Sequence, residues 1–376
     1  MKILFSGGHI TPALAVIDYL KKHHSDIEIV FAGRLFTKQD NSQVAPEKKE
    51  IEVRGIPFIP FSTGKLSFSN PVSFVKNAWY LVIGLIRAIK IIHTVRPDVF
   101  MSFGGYLAVP LAIAAWIFKV PVFTHEQTRV AGFANRVIAR FSKKIAVSFA
   151  ETASLFPSHK TIVTGNPVRK LVVNGSVKKP NWFKLSSKNQ RPILYITGGS
   201  QGSEILNATV SECVNELIKN WTVIHSCGPA TRTRNYKNDL LRKRNQLSLA
   251  AQNRYYIREW CNEEELGWIY KNAETMVSRA GANTIQEIII ANIVSILVPL
   301  PFSHAHEQEI NARYLQDHNA AVVIHQKDLG PQSLLDSLEI IQRKHKKMQQ
   351  QLQELALTIT TNADKTIAEM LLTEKS

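Results

Sequence analysis

The stretch that most restricts what this chain can fold into is Tyr195-Ile196-Thr197-Gly198-Gly199-Ser200-Gln201-Gly202. An apolar run ending at Ile196 reads as a buried strand, and beyond the glycines Leu206, Val210, Cys213, Val214 and Leu217 recur with helical period. A glycine-rich turn between strand and helix lets backbone N–H groups approach an anion, and the helix N-terminus adds roughly half a positive charge. The expectation is a diphosphate cradle. It lacks the Gly-Lys-Ser/Thr of a nucleoside-triphosphatase loop and the G-x-G-x-x-G spacing of a dehydrogenase, so neither chemistry is expected. On its own, the motif is equally a glycine-rich turn that binds nothing.

The same alternation recurs on both sides of it. Strand-like runs at 2–5, 27–32, 98–101, 121–124 and 144–148 are separated by enough chain for crossover helices, and a second set follows at 193–197, 221–225, 254–257, 275–278 and 293–298. That pattern predicts parallel sheets. Between the sets, 170–192 is rich in Lys, Ser and Asn with little periodicity, and a length of 376 residues suits two domains. The expected organisation is a domain over 1–168, a linker over 169–192 and a domain over 193–376, whose last helix is free to pack back on the first domain.

The formal net charge is +16, with 20 Lys/Arg against 10 Asp/Glu up to Lys160 and 26 against 20 beyond it. Such an excess suits a nucleic acid or an anionic membrane surface, or reflects nothing more than a habit of using lysine. No RNA-recognition, KH, OB-like or helix-turn-helix pattern is present, so no nucleic-acid partner is expected. Cys213, Cys227 and Cys261 form no C-x-x-C pair, and neither a disulfide nor zinc is expected. Met1 to Phe5 runs straight into glycines, so no secretory signal is expected. The most apolar long segment, 72–95, is interrupted by Lys76, Arg87, Lys90 and His93, and its uncharged run at 77–86 is far short of the ~20 residues that span a bilayer.

Ligands of open α/β sheets sit beyond the carboxyl ends of the strands. The loops there carry G-G-H-x-x-P-A at 7–13, G-G-Y at 104–106, H-E-Q at 125–127, G-N-P-V-R at 165–169, G-G-S-Q-G at 198–202, S-x-A-G-A-x-T-x-x-E at 278–287 and Q-x-x-N at 308–311. Each is weak alone, but seven in this order closely resemble glycosyltransferase family 28, the N-acetylglucosaminyltransferases that complete lipid II on the inner face of the bacterial membrane. The resemblance covers nearly the whole chain. It implies an α/β GT-B fold of two Rossmann-like domains facing a central cleft, with UDP-GlcNAc in the C-terminal one and the lipid acceptor at the N-terminal one. The implied reaction is inverting transfer of GlcNAc to the C4 hydroxyl of MurNAc in lipid I (undecaprenyl-pyrophosphoryl-MurNAc-pentapeptide). The rivals are a GT-B enzyme with another lipid or glycan acceptor, a UDP-GlcNAc 2-epimerase, and a pseudoenzyme that only binds UDP-GlcNAc.

The resemblance also implies roles. Ser200, Gln201 and Gly202 would bind the diphosphate with Arg169 as charge partner, Glu287 would accept from both ribose hydroxyls, and Gln308 and Asn311, on one helix face, would read sugar hydroxyls. A Glu that merely stabilises a helix start is the plain alternative for Glu287. Gly7, Gly8, Gly104, Gly105 and Tyr106 would meet the acceptor. His9 is the expected base, with Glu126 as competitor and an anion-binding or structural His9 as the plain alternative. No metal site is expected, since His304 and His306 have no third ligand and no D-x-D is present; no cofactor is required, and a divalent cation is left as an optional aid. Phe74, Trp79 and Ile83, with Val75, Val82 and Ile86 at helical spacing and Lys65, Lys76, Arg87 and Lys90 around them, would bind anionic inner-leaflet lipids, which places a peripheral protein on the cytoplasmic face of the membrane. A core-facing helix explains any one of these apolar positions equally well.

Two features depart from the family pattern. The first loop is about four residues shorter than the usual G-G-G-T-G-G-H. Thr128 and Ala108 stand where Asn and a hydroxyl residue are common.

Overall fold

The computed structural model describes residues 1–35, 46–63, 71–170, 174–175, 178–184, 191–230 and 234–375; the side chains of 46–47, 71–81, 304 and 375 are not among those described. The chain forms two compact units, Met1–Val168 with Thr360–Ser376, and Arg169–Ile359.

The first unit is a seven-stranded parallel sheet of β1 (Lys2–Ser6), β2 (Glu28–Gly33), β3 (Phe58–Pro60), β4 (Val99–Ser102), β5 (Val122–Glu126), β6 (Lys144–Val147) and β7 (Thr161–Val163), in the order β3-β2-β1-β4-β5-β6-β7. Parallel strands covered on both faces read as nearly unbroken apolar runs. Successive side chains of such a strand leave by opposite faces. Ile3 and Phe5 accordingly join Phe31 and Met101 in one core under α1 (Ile10–His23), while Leu4 joins Val30 and Phe100 in the other. That second core lies under α3 (Pro71–Val95) and α4 (Ala108–Ile117). The C-terminal helix α14 (Ala363–Leu372) buries Ile367, Ala368 and Leu371 in the α1 core.

The second unit is a six-stranded parallel sheet of β8 (Ile193–Thr197), β9 (Thr222–Ser226), β10 (Tyr255–Arg258), β11 (Ala273–Ser278), β12 (Val294–Leu297) and β13 (Ala321–Val323), ordered β10-β9-β8-β11-β12-β13. Helix α7 (Glu204–Asn220) buries Leu206, Val210, Cys213, Val214 and Leu217, the positions its period picked out. All three cysteines are buried and free.

Two observations correct the sequence reading. The strands β3, β7 and β13 were not expected. Each is three residues long, too short for a period to be legible, and β3 ends in a proline, which an edge strand tolerates. The expected linker, where described, belongs to the second unit: Phe183 is buried in its core, and Trp182 lies beside Tyr256. Composition flagged that stretch as loop-like, but its two adjacent aromatics find a core to fill.

In each sheet the direction of winding reverses next to the first strand, so the loops after β1 and β4, and after β8 and β11, flank the switch points where such folds bind ligands.

Candidate functional site

In the first unit, the loops after β1 and β4 touch. Gly8 N–H donates to Gly104 O at 2.9 Å, and a Cβ on Gly105, whose φ is +81°, would lie 3.0 Å from Gly8 N. Glycine is required there because two backbones meet without room for a side chain. This contact seats His9, the N-cap residue of α1, which makes no side-chain capping bond. Its Nδ1 lies 2.6 Å from the side-chain amide nitrogen of Gln127, and no other hydrogen bond of His9 exists among the described residues. Burial lowers the His9 pKa below the ordinary imidazole value, with the nearby Glu126 opposing the shift. The neutral ring is favoured. Tyr106, half-buried, packs on the core under α3 and α4.

Glu126, at the end of β5 and 2% exposed, is fully engaged. Its Oε1 accepts from Thr128 N–H at 3.0 Å and Thr128 Oγ1 at 2.8 Å, and its Oε2 from Gly132 N–H at 2.9 Å and Asn135 Nδ2 at 2.8 Å. A carboxylate has about four acceptor positions. With four donors in place, Glu126 shapes the loop and has no acceptor position left for an incoming hydroxyl, which disfavours it as the competing base. Thr128, noted as a departure, supplies two of those donors. His125 is buried beside it, with Nε2 3.2 Å from both Gly165 O and Ser148 Oγ, and burial takes its pKa down to about 4.

In the second unit, the glycine loop after β8 turns back on itself through Gly202 N–H to Gly199 O at 3.0 Å. Gly202 has φ +73°, and a Cβ there would sit 2.3 Å from Cys227 O. Ser200 and Gln201 are exposed at the rim, and Ser203 is the N-cap residue of α7. The first N–H groups of α7 have no partners inside the helix and are available to an anion.

Arg279, after β11, is a residue the sequence reading missed. Its Nη1 donates to Val298 O at 3.1 Å and Pro299 O at 3.4 Å, and its Nη2 to Ser203 Oγ and Gln326 Oε1, both at 2.8 Å. Those acceptors are all neutral, and burial lowers its pKa. A cation thus stands at the start of α7 with no carboxylate partner among the described residues. The signal was present as the unspecified position in S-x-A-G-A, which the motif treated as free.

Arg169 is placed differently from the expectation. It is held on Glu287, Nε to Oε1 at 2.9 Å and Nη2 to Oε1 at 2.6 Å, so its charge is spent there and not on the diphosphate loop. Tyr270 donates its hydroxyl to Glu287 Oε2 at 2.9 Å. Glu287 is 2% exposed and lies in the second turn of α11 (Ala282–Ala291), not the first, so the helix-start alternative loses its force, since that effect fades within the first turn. One acceptor position of Oε2 remains.

Gln308 and Asn311 share a face of α12 (Glu307–Asp317). Gln308 Oε1 accepts from Leu300 N–H at 3.0 Å, and Asn311 Nδ2 donates to Ala280 O at 3.1 Å, so each amide pins a loop after a strand and keeps further hydrogen-bonding capacity. His306 Nδ1 lies 3.2 Å from Glu309, while the side chain of His304 is outside those described. Among the described residues no group of three or more His, Cys, Asp or Glu side chains can hold a metal ion.

Of the proposed membrane stripe, Lys65 and the side chains of Phe74, Val75, Lys76 and Trp79 lie outside those described. Ile83 is half-buried, whereas Val82 and Ile86 are exposed, so the outward face of α3 is turned slightly from the one expected. Trp116, Ile117 and Phe118 at the end of α4 are exposed as well. No described helix is long and apolar enough to cross a membrane.

Two doubly wound parallel units, each with a glycine loop at its switch point, are the architecture of the GT-B class. Solved structures share that fold: MurG of Acinetobacter baumannii, at 21% identity and TM-score 0.69 over 99% of both chains, and a UDP-GlcNAc 2-epimerase from Neisseria meningitidis bound to UDP-GlcNAc, at 14% identity and TM-score 0.62 over 99% of this chain and 100% of that one. The chain belongs to glycosyltransferase family 28, whose N-terminal domain matches residues 6–147 and whose C-terminal domain matches residues 193–370. It is 32% identical, over 92% of its length and 93% of the relative's, to the UDP-N-acetylglucosamine–N-acetylmuramyl-(pentapeptide) pyrophosphoryl-undecaprenol N-acetylglucosamine transferase 2 of Bacillus cereus.

Proposed function

We propose that this glycosyltransferase moves GlcNAc from UDP-GlcNAc to the C4 hydroxyl of MurNAc in lipid I, giving lipid II with inversion at C1. The observation that carries the reading is the end-to-end similarity to a transferase named for those substrates. The acceptor oxygen attacks C1 as the C1–O bond to UDP breaks. The hydroxyl proton passes to His9 Nε2, which has no protein partner among the described residues and belongs to a ring that burial keeps neutral. Charge gathers on the departing diphosphate, where the free N–H groups of α7, Ser200, Gln201 and Gly202 meet it, and Arg279 adds the cation. Glu287, already fixed by Arg169 and Tyr270, offers its remaining acceptor position to the ribose, and Gln308 and Asn311 use their remaining capacity on the sugar. No divalent cation is needed in this scheme. Gly7, Gly8, Gly104, Gly105 and Tyr106 receive the acceptor.

The protein works as a peripheral one at the cytoplasmic face of the membrane. Val82 and Ile86, with Trp116 to Phe118, enter the interface, and the exposed Arg87, Lys90, Lys119 and Arg140 meet anionic lipids.

Incubation with labelled UDP-GlcNAc and a lipid I analogue tests the reading. The expected products are UDP and a labelled lipid II analogue. Release of N-acetylmannosamine would point to an epimerase, and tight UDP-GlcNAc binding without transfer would make the short first loop the mark of a pseudoenzyme.

A further inference from the structure

The pairing of His9 with Gln127 has a chemical consequence. A terminal amide offers an acceptor on one side and two donors on the other, and a half-turn exchanges them with little change of shape. With its nitrogen facing His9 Nδ1, Gln127 leaves Oε1 buried and without a partner. An orphaned buried acceptor is costly. That orientation also forces the proton of neutral His9 onto Nε2, the atom left free for the acceptor, and would set N–H against N–H once the ring became an imidazolium. The other orientation sets an acceptor against Nδ1, which leaves Nε2 without the proton in the neutral ring and still matches Nδ1–H in the imidazolium.

We infer that Gln127 is the positioning residue of His9: its side-chain oxygen accepts Nδ1–H, so that Nε2 keeps the lone pair that takes the acceptor's proton. The inference rests on His9 as the base. It explains why an amide serves here better than a carboxylate. Glu126 and His125, at the end of β5 just before Gln127, are the titratable neighbours, and the first turn of α1 carries no acidic residue. Tyr106 follows the glycines that touch Gly8. Glu126 already raises the ring's proton affinity through space, and a second carboxylate on Nδ1 would raise it further. A neutral acceptor fixes the tautomer without that effect.

The test uses the full chain labelled with nitrogen-15 in histidine, the His9 signal being assigned by its loss in His9→Ala. Long-range proton–nitrogen correlation should show wild-type His9 protonated on Nδ1 and bare on Nε2. Gln127→Glu should keep that tautomer, raise the His9 pKa and move the acid limb of kcat/KM to higher pH, because a carboxylate favours the imidazolium. Gln127→Leu should populate the Nε2–H form and lower kcat by at least roughly tenfold, within the roughly 10²–10⁴ that a general base contributes, with the KM for UDP-GlcNAc unchanged. A loss of packing alone would move neither the tautomer nor the pH profile. Wild-type His9 protonated on Nε2, or a Gln127→Glu acid limb that stays in place, overturns the inference, and both readouts stand even if Gln127→Leu fails to fold. Near-normal turnover by His9→Ala beside an Nδ1–H wild type would instead overturn the base assignment and leave the pairing standing.

Discussion

Glu126 and Glu287 are equally buried, each in a segment that follows or ends a parallel strand, and they are stabilised in different ways. Glu126 is surrounded by two backbone N–H groups, a hydroxyl and an amide, all neutral. Glu287 faces a guanidinium and a phenol. Neutral donors can hold a buried carboxylate because hydrogen bonds to a charged group are the strong ones, and they fold a short segment, 126–135, around a single point. An ion pair instead ties positions 118 residues apart. The first device makes a rigid loop; the second makes a charge-neutral post whose halves depend on each other.

The largest expected effect lies beside the first device. His9→Ala should lower kcat by roughly 10²–10⁴ with little change in UDP-GlcNAc affinity, as single-turnover rates and calorimetry would show. If donor affinity fell equally, the division between a unit that moves the proton and a unit that holds the donor would fail.

Glu287→Ala breaks the second device. It leaves Arg169 partly buried without its partner, so unfolding should become easier by about 3–5 kcal/mol, nearer the lower figure because the guanidinium keeps some contact with water. UDP binding should weaken by about 1.5–3 kcal/mol as well. The double change Arg169→Met with Glu287→Leu separates the two: denaturant melts should recover stability while calorimetry shows UDP binding still impaired. Full recovery of both would mean that the pair is structural only.

Arg279 sharpens the contrast, since it is a half-buried cation with no carboxylate partner among the described residues. Arg279→Met should cost about 1.5–3 kcal/mol in UDP affinity and leave uridine binding unchanged, because only the diphosphate meets the guanidinium. Equal losses for UDP and uridine would reduce Arg279 to a brace for the loop after β12.

These cases show what sequence could convey. The alternation of strands and helices and the glycine loops were legible because parallel strands must be apolar and loops that touch must be glycine. Gly105 and Gly202 fall where loops press on one another, as the sequence placed them in the loops after strands. Arg169 was expected on the diphosphate and stands on Glu287 instead, because pairing at long separation leaves no local pattern. Arg279 was passed over because a motif marks where identity is required, and its guanidinium acts through carbonyls contributed by other segments. The departure at Thr128 proved self-explanatory once Glu126 was seen to need donors, whichever residue carries them.

The smallest effect expected concerns the membrane. On α3 and α4 the comparison is between an apolar contribution from Val82, Ile86 and Trp116 and a Coulombic one from Arg87, Lys90, Lys119 and Arg140, worth about 1 kcal/mol for each basic residue near an anionic surface. Salt acts on only one of them, because the screening length shrinks from about 10 Å at 0.1 M to about 3 Å at 1 M. Sedimentation with anionic vesicles should therefore show a salt-sensitive part and a salt-resistant part. Ile86→Ser with Trp116→Ser should abolish the resistant part and spare the sensitive one, since both side chains are exposed and their loss should leave the fold and turnover of a soluble acceptor analogue intact. Retention of the mutant at 1 M salt equal to that of the wild type would move the apolar anchor to another surface, and loss of the salt-sensitive part alone would mean that these side chains act only by placing the basic residues against the lipid.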